Sequence, residues 1–396
     1  MKLIHLADLH LGFRQYQRQT DRGLNQREAD VAKAFKTAID KIVEIKPDVI
    51  VISGDVFHAV RPTNPAILHA YTQFARLVES LPDTIIVMIA GNHDTPRTTE
   101  TGWLLRLFSS LGIIVVEEEP KHLRFDDLSI LAVPSPSQNP EFQPDDSARY
   151  KVLVFHNLLD EIATRIGPHA RNAGNSSLKA IDPARWDYVA MGHYHVFEQL
   201  APNAFYSGAI EYTSSNIWGE VDEERKKGLG NKGLGAKGFI EYDLAARTHK
   251  FHQLPGARRV VDIRQVEAKG MTASELSDAI CAAVDGCDGG IDDRIVRLIV
   301  RDVPRHILRD IDHRRIREFK RRALNFLLDA RKPEPIRLEA ISGAPGRRAS
   351  LAETVRGMLE SREVTPGIDR KSLVDLGMFY LNEVDRLAPA ASGDEA

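Results

Sequence analysis

The sequence predicts a layered α/β fold up to about residue 245, followed by a smaller α+β domain and C-terminal helices. Two features of the first part carry this prediction. Short apolar segments rich in β-branched residues recur along it, which is typical of buried strands. Amphipathic stretches separate the first of these segments, and an alternation of strands and helices indicates an α/β layered domain.

Seven apolar segments are the candidate strands of this domain. In chain order they are KLIHLA (2–7), DVIVISG (48–54), TIIVMIAG (84–91), LSILAVPS (128–135), KVLVFH (151–156), DYVAMG (187–192) and FIEYDL (239–244). Helices are expected between the first three segments, over residues 26–46 and 65–81. In the first helix Val31, Phe35 and Ile39 recur at helical spacing, which gives it one apolar face.

The segment KKGLGNKGLGAKG (226–238) contains the pattern Gly-x-Gly-x-x-Gly twice. A dinucleotide-binding fingerprint needs a strand before these glycines and a helix after them. Here a charged run precedes them and the last strand candidate follows. The Lys-Ser/Thr pair of a phosphate-binding P-loop is also missing, so we interpret the segment as a flexible loop.

The second half changes character after LPGARR (254–259). Strands are expected in VVDIRQVEA (260–268) and RIVRLIVRDV (294–303), with a helix at 274–284 between them, and another strand in PIRLEAI (335–341). Residues 305–332 are expected to form one basic helix with ten Lys/Arg and four Asp/Glu. This helix would either contact phosphates or present a solvated face.

Two helices are expected near the C-terminus. One begins after Ser350, with Glu353 at capping-box spacing, and the other spans residues 370–387 with a broad apolar face. The last nine residues, APAASGDEA, are expected to be disordered. The expected domains are therefore residues 1–255, 256–340 and 341–396.

Composition excludes several classes of protein. A formal net charge of −3 gives no global attraction to nucleic acid, so such a surface would have to be local. The two cysteines, Cys281 and Cys287, cannot build a disulfide framework in 396 residues, which favours a reducing compartment such as the cytoplasm. No apolar stretch reaches the ~18 residues that a membrane span needs.

Oxygen and imidazole ligands follow five of the strand candidates, in the motifs DLH, GDVFH, GNHD, FH and GHYH. The side chains concerned are Asp8, His10, Asp55, His58, Asn92, His93, Asp94, His156, His193 and His195. Ligand sites of α/β sheets gather at the carboxyl ends of strands. Asp, Asn and His without Cys suit manganese, iron or zinc, and the number of ligands fits a pair of ions bridged by one carboxylate.

Each motif alone has an ordinary explanation, because Gly-Asp is a common turn and a histidine at a strand end is usually a surface group; Gly-Asn-His-Asp and Gly-His-x-His are the less common patterns. Five such motifs in this order, each at a strand end, are evidence for a site. Glycines beside Asp55, Asn92 and His193 permit the tight turns that let short side chains converge.

The five motifs resemble those of the calcineurin-like metallophosphoesterases. Within them, the opening HLADLHLG, the GDVFH variant and YSGAIEYTS (206–214) resemble the SbcD-type nucleases, also called the meiotic recombination 11 family. The resemblance covers about residues 1–245 well and the remainder loosely. It implies a sandwich of two β-sheets flanked by helices, with a capping domain at about 258–335.

The resemblance also implies the roles of the site residues. One divalent ion would be held by Asp8, His10 and His195, the other by Asn92, His156 and His193, and Asp55 would bridge them; manganese is the expected metal. His93 would lie near the scissile phosphate as a catalytic residue without binding metal. His58 is the second catalytic candidate, because the phosphatase branch typically has Asp at this position.

Three functions compete at this stage. The first is a metal-dependent DNA nuclease, exonucleolytic and with a possible endonuclease activity, that acts in double-strand break repair with an SbcC-type ABC ATPase. The second is a phosphoesterase for a small diester or a phosphoprotein, and the third is a non-catalytic DNA-binding scaffold. The C-terminal helices would dock on the ATPase or pack on their own cap. A homodimer through helices 24–45 or 65–81 is a further expectation.

Overall fold

The computed structural model describes residues 1–98, 102–135, 137, 140–167, 176–229, 236–256, 258–333, 351–362 and 369–387. Its strands are β1 (Lys2–Leu6), β2 (Val49–Ser53), β3 (Ile85–Ile89), β4 (Ile114–Val116), β5 (Lys121–Arg124), β6 (Leu128–Val133), β7 (Tyr150–His156), β8 (Tyr188–Gly192), β9 (Glu198–Ala201), β10 (Ala204–Tyr206), β11 (Gly238–Asp243), β12 (Thr248–Gln253), β13 (Val260–Glu267), β14 (Ile295–Arg301) and β15 (Asn325–Ala330).

The helices fall between these strands and after them. They are α1 (Gln26–Ile45), α2 (Asn64–Ser80), α3 (Asp160–Ile166), α4 (Leu178–Ile181), α5 (Ile217–Lys226), α6 (Ala273–Asp285), α7 (Arg305–Arg309), α8 (His313–Arg322), α9 (Leu351–Ser361) and α10 (Arg370–Leu387), with 3₁₀ helices at Leu104–Leu111 and Pro183–Arg185. All seven strand candidates of the first part form strands, and α1 and α2 match the two helices expected there.

Two six-stranded sheets form the first part of the chain. Their strand orders are β12-β11-β1-β2-β3-β4 and β5-β6-β7-β8-β10-β9. Strands β1 to β4 run parallel, as do β6, β7, β8 and β10. All five residues of β2 are buried, since a parallel strand at the centre of a sheet is covered on both faces.

The sheets pack face to face, with helices on the outside. Val51 of the first sheet and Val154 and Tyr188 of the second belong to one buried cluster between them. On the other face of the first sheet, Phe35 of α1 and Phe74 of α2 pack over it. The two-sheet α/β sandwich expected from the sequence is therefore confirmed.

The helices α1 and α2 start at capping residues that the sequence supplies. The Asn25 side chain accepts a hydrogen bond from the backbone N–H of Arg27 at 3.0 Å, and the Thr63 side chain accepts one from the N–H of Ala66 at 3.2 Å. Such caps satisfy amide groups that have no partner within a helix. Pro65 in the first turn of α2 stands where its missing N–H costs nothing.

A third, smaller sheet has the parallel order β13-β14-β15, and α6 and α8 contribute to its core. The prediction of a single basic helix over residues 305–332 is wrong. The chain forms α7, α8 and β15 there, because Asp312 caps a new helix by accepting from the N–H of Arg314 at 2.9 Å and NFLLDA pairs with β14.

Contacts divide the chain into two units, residues 1–333 and 334–396, and the boundary near residue 255 stays a prediction. In the second unit α9 and α10 pack closely, since a Cβ on Gly377 would lie 2.4 Å from Cδ1 of Leu359. The strand predicted at 335–341, the C-terminal nine residues and positions 230–235 of the Gly-rich segment lie outside the described residues. Among the described helices, none is both long and apolar enough to cross a membrane.

Candidate metal centre

The predicted ligands converge at one edge of the two sheets. Asp8 and His10 follow β1, Asp55 follows β2 and Asn92 follows β3, all in the first sheet. His156 ends β7, and His193 and His195 follow β8, in the second sheet. The carboxyl ends of these parallel strands meet at the edge where α/β proteins place their sites.

One group of ligand atoms comprises Asp8, His10 and His195, which lie within 4.8 Å of one another. The Nε2 atoms of His10 and His195 are 3.0 Å apart, and Nε2 of His195 is 3.9 Å from Oδ1 of Asp8. Two imidazole nitrogens and one carboxylate oxygen that point at a common position are a donor set for a borderline divalent ion.

A second group comprises Asp55, His156 and His193, also within 4.8 Å of one another. The amide oxygen of Asn92 joins it, 3.1 Å from Nε2 of His156 and 2.8 Å from Nδ1 of His193. Asp55 lies between the two groups, because its Oδ2 is 3.6 Å from Nε2 of His10 and 3.4 Å from Nε2 of His156. This position between the two groups is the one that the bridging role predicted for Asp55 requires.

The two predicted catalytic histidines lie beside these groups. The backbone N–H of His93 donates to Oδ1 of Asp55 at 2.8 Å, and its ring Nδ1 is 2.7 Å from the carbonyl oxygen of His58. Nδ1 of His58 is 3.3 Å from Nδ1 of His10. The ring of His93 is thus oriented through its Nδ1 contact.

Four of the ten described non-glycine residues with positive φ lie in the loops of this site. Asp8, His10, Asp55 and His193 have φ angles of 52°, 46°, 52° and 99°. Left-handed conformations are costly for residues with a Cβ and persist where the surrounding structure enforces them, often at functional sites. These four residues are all predicted metal ligands.

Three glycines make the close approach of the loops possible. A Cβ on Gly54 would lie 2.4 Å from Nδ1 of His156, one on Gly91 would lie 2.1 Å from Oδ1 of Asp55, and one on Gly192 would lie 2.0 Å from the carbonyl oxygen of Ser53. Any side chain at these positions would push a ligand or its backbone aside.

The electrostatics favour a cation in this place. Burial lowers the pKa of His193 to about 3, which keeps its ring neutral, as metal ligation requires. Burial also raises the pKa of Asp8, partly offset by nearby imidazoles. Burial opposes a proton on His156 as well, but Asp55 outweighs it and raises the pKa of His156 to about 9. The site is therefore one where carboxylates attract positive charge, and the donor set fits two divalent ions.

Two further residues shape the site although their roles did not emerge from the sequence. Asp94 accepts hydrogen bonds from the N–H groups of Val56 at 3.1 Å, Phe57 at 3.0 Å and Gly91 at 3.0 Å. It thereby joins the loop of Asp55 to the loop of Asn92. Its place in GNHD was its only signal. Glu220 lies in the charged segment after residue 216, where nothing in the sequence marks it as part of a site. In the structure its Oε1 is 3.3 Å from Nδ1 of His195.

Comparison with known proteins identifies a family that the first half of the chain matches. Residues 1–197 match the calcineurin-like phosphoesterase family model. The DNA double-strand break repair protein Mre11 of Methanococcus maripaludis is 30% identical over 251 residues, 58% of this chain and 62% of the relative. The protein of the same name from Archaeoglobus fulgidus is 37% identical over 267 residues, 61% and 56% of the two chains. The protein of the same name from Methanosarcina acetivorans is 24% identical over 395 residues, which cover 90% of this chain and 61% of the relative.

The chain therefore spans about three fifths of the length of the curated relatives it matches. The family match, in contrast, includes every loop of the candidate metal centre, from Asp8 to His195. Since the two-sheet fold, the converging ligands and the matched family agree, residues 1–197 of this chain belong to a calcineurin-like phosphoesterase domain.

Proposed function

We propose that the chain is a metal-dependent DNA nuclease that hydrolyses phosphodiester bonds during double-strand break repair. The observation that carries the proposal is the convergence of the seven predicted metal ligands with His93 and His58 in one site. Relatives named for DNA double-strand break repair support the choice of substrate.

In this proposal Asp8, His10 and His195 hold one ion. Asn92, His156 and His193 hold the other, and Asp55 bridges them. We propose manganese, since these oxygen and nitrogen donors suit it. When bound, two such ions neutralise phosphate charge and lower the pKa of a water molecule so that it can attack near neutral pH.

His93 is the proposed proton donor for the departing sugar oxygen. Its Nδ1 is occupied by the carbonyl oxygen of His58 at 2.7 Å, so Nε2 is the atom that can give a proton. Its backbone N–H to Asp55, at 2.8 Å, keeps the ring beside the bridging carboxylate. General-acid help of this kind contributes roughly 10²–10⁴-fold.

His58 is the proposed contact to the phosphate or to the strand end. Burial and the neighbouring His93 lower its pKa to about 4, so it would act as a neutral hydrogen-bonding group near pH 7. The side chain of Phe13 supports the ring in an edge contact, with centroids 4.9 Å apart. A carboxylate at this position would instead repel phosphate.

A basic surface on α8 is the proposed place where DNA lies outside the metal centre. Its exposed cations are Arg314, Arg315, Arg317, Lys320 and Arg321. The opposite face is apolar and buries Ile316 and Phe319. Phosphate contacts from such a surface would make DNA affinity fall steeply with salt.

The partner proposal rests on exposed apolar side chains. In the second unit, Met358, Leu376, Phe379 and Tyr380 are 68%, 53%, 58% and 61% exposed. An amphipathic helix with such a face suits an apolar groove, and we propose that this groove belongs to an SbcC-type ATPase.

On α2, Leu68 is 67% exposed and marks the proposed homodimer face. The proposed location is cytoplasmic, where DNA and free thiols are found.

The partner proposals are tested with two variants, each of which controls the other. Phe379→Asp is expected to abolish co-purification with the ATPase and to leave the oligomeric state unchanged. Leu68→Asp is expected to do the reverse in sedimentation and pull-down experiments. Retention of the ATPase by Phe379→Asp would rule out this helix as the docking element.

The catalytic proposal is tested by comparing linear DNA with an aryl phosphodiester, with and without Mn²⁺. DNA-selective, metal-dependent hydrolysis is expected, and His93→Gln should keep both ions but lose turnover. Hydrolysis of the small diester alone would support a phosphoesterase of another specificity. Metal uptake without turnover on either substrate would identify a non-catalytic DNA-binding scaffold.

A further inference from the structure

A buried carboxylate lies directly behind one of the proposed metal ligands. Glu220 of α5 is 8% exposed, and Lys237, at the end of the Gly-rich segment, is 2% exposed. Charged side chains are almost never buried to this extent unless they are paired. They form an ion pair with each other, and both contact the residue at position 195.

The ring of His195 is held between protein and metal site. Its Nδ1 is 3.3 Å from Oε1 of Glu220, while its Nε2 faces the first ligand group, 3.0 Å from Nε2 of His10. A carboxylate can only accept, so the proton of a neutral ring belongs on Nδ1. Nε2 then presents its lone pair toward the position of the ion.

Lys237 fixes this arrangement from two sides. Its Nζ pairs with Oε2 of Glu220 and donates to the carbonyl oxygen of His195 at 2.8 Å. The backbone N–H of Ser214 donates to Oε1 of Glu220 at 3.2 Å. The carboxylate therefore has a donor on each oxygen, and neither oxygen can be replaced by an NH₂ group without placing a donor against a donor.

The other end of the Gly-rich segment contacts the same turn. Nζ of Lys227 lies 4.7 Å from the centroid of the Tyr194 ring and 3.2 Å from its hydroxyl. Tyr194 stands between the proposed ligands His193 and His195. The two lysines that border this segment, at positions 227 and 237, thus both hold the ligand-bearing turn.

We propose that Glu220 is a positioning residue that selects the metal-binding tautomer of His195, with Lys237 as its anchor. The inference rests on the proposed metal centre and assigns a role to the lysine that ends the Gly-rich repeat. Partners that orient a metal-binding histidine typically account for roughly 10–100-fold in metal affinity.

The test is a Mn²⁺ titration of the full chain, followed by electron paramagnetic resonance, with Glu220→Gln and Glu224→Gln compared. In Glu220→Gln, Lys237 draws the amide oxygen, so the NH₂ group faces Nδ1 of His195 and drives its proton to Nε2. Affinity for one of the two ions is expected to fall roughly 10–100-fold. Thermal denaturation verifies that each variant is folded.

Glu224→Gln is the matched control. Glu224 is buried, pairs with Nζ of Lys237 at 3.1 Å and accepts from the hydroxyl of Tyr212 at 2.6 Å, so its substitution removes the same charge from the same lysine. Its contacts do not include His195, and affinity for both ions should stay close to that of the wild type. An equal loss in both variants would overturn the inference in favour of a general electrostatic effect.

The remaining outcomes separate this inference from the proposed function. Native affinity in a folded Glu220→Gln variant overturns the inference alone. Absence of Mn²⁺ binding to the wild type overturns the metal centre and the inference together. Should Glu220→Gln not fold, imidazole ¹⁵N spectra of the metal-free wild type decide, with the His195 signals identified by His195→Gln. A neutral ring protonated on Nδ1 supports the inference, and one protonated on Nε2 refutes it.

Discussion

Gly91→Ala tests whether the loop geometry sets the activity. The new Cβ would lie 2.3 Å from the backbone nitrogen of Asp55 and 2.1 Å from its Oδ1. An ordinary contact begins at 3.4 Å, so the two backbones must separate by about 1.1 Å. The Asp55 loop cannot yield freely, because Asp94 ties the N–H groups of Val56 and Phe57 to this same glycine.

The expected loss follows from that displacement. A misplacement of about 1 Å costs on the order of 10²-fold in rate, and overpacking costs typically 1–3 kcal/mol of stability. We expect DNA hydrolysis in Mn²⁺ to fall about 100-fold in Gly91→Ala, with a lower Tm but a cooperative unfolding transition. The affinity for both ions should fall too, since the bridging carboxylate moves.

Gly357→Ala is the control for the exchange of glycine by alanine. Nothing lies within 4 Å of a Cβ at that position of α9, and alanine favours a helix by roughly 0.5–1 kcal/mol over glycine. Its activity should equal that of the wild type. Native turnover and ion affinity in Gly91→Ala, at an unchanged Tm, would refute the view that contact between these two loops fixes the ligand positions.

Three further predictions follow from the site and its surroundings. Asp55→Ala is expected to abolish hydrolysis and to lower the affinity for both ions, as measured by calorimetric Mn²⁺ titration; loss of only one bound ion would exclude a bridging role. Chelation is expected to lower the Tm, since a ligand at 100 times its Kd adds roughly 2.7 kcal/mol per site; an unchanged Tm would contradict ion binding in the folded state. Burial lowers the pKa of His5 to about 3 from 6.5, so below pH 6.5 the unfolded chain binds a proton that the folded chain does not. Between pH 7 and 5 this contributes a loss of about 2 kcal/mol, which His5→Asn should remove in urea unfolding experiments; equal pH slopes would refute it.

Much of the fold was predictable because buried parallel strands are continuous apolar runs. Two of the strands that escaped prediction lack this signal. β5 reads KHLR and is mostly exposed, and β9 reads EQLA at a sheet edge. β15 was not predicted as a strand, because NFLLDA follows the basic stretch of α8 and continues an apparently helical pattern.

The ligands were predictable because each directly follows or ends a strand, a relation that is local in the chain. The residues that orient them were not. Glu220 and Lys237 lie in charged and Gly-rich segments that read as solvated, and their partner is 25 and 42 residues away. Only the packing of α5 against the turn after β8 reveals that these charges are buried.

The division of the ligands between the two sheets has a consequence for a chain still under synthesis. Neither proposed ion can be held by one sheet, because each needs side chains from both, and the last of them stands at position 195. A nascent chain that has formed only β1 to β4 of the first sheet therefore holds neither ion. In the proposed nuclease, hydrolysis of DNA begins only after the second sheet has packed on the first, so an unfinished or half-folded molecule would leave DNA intact.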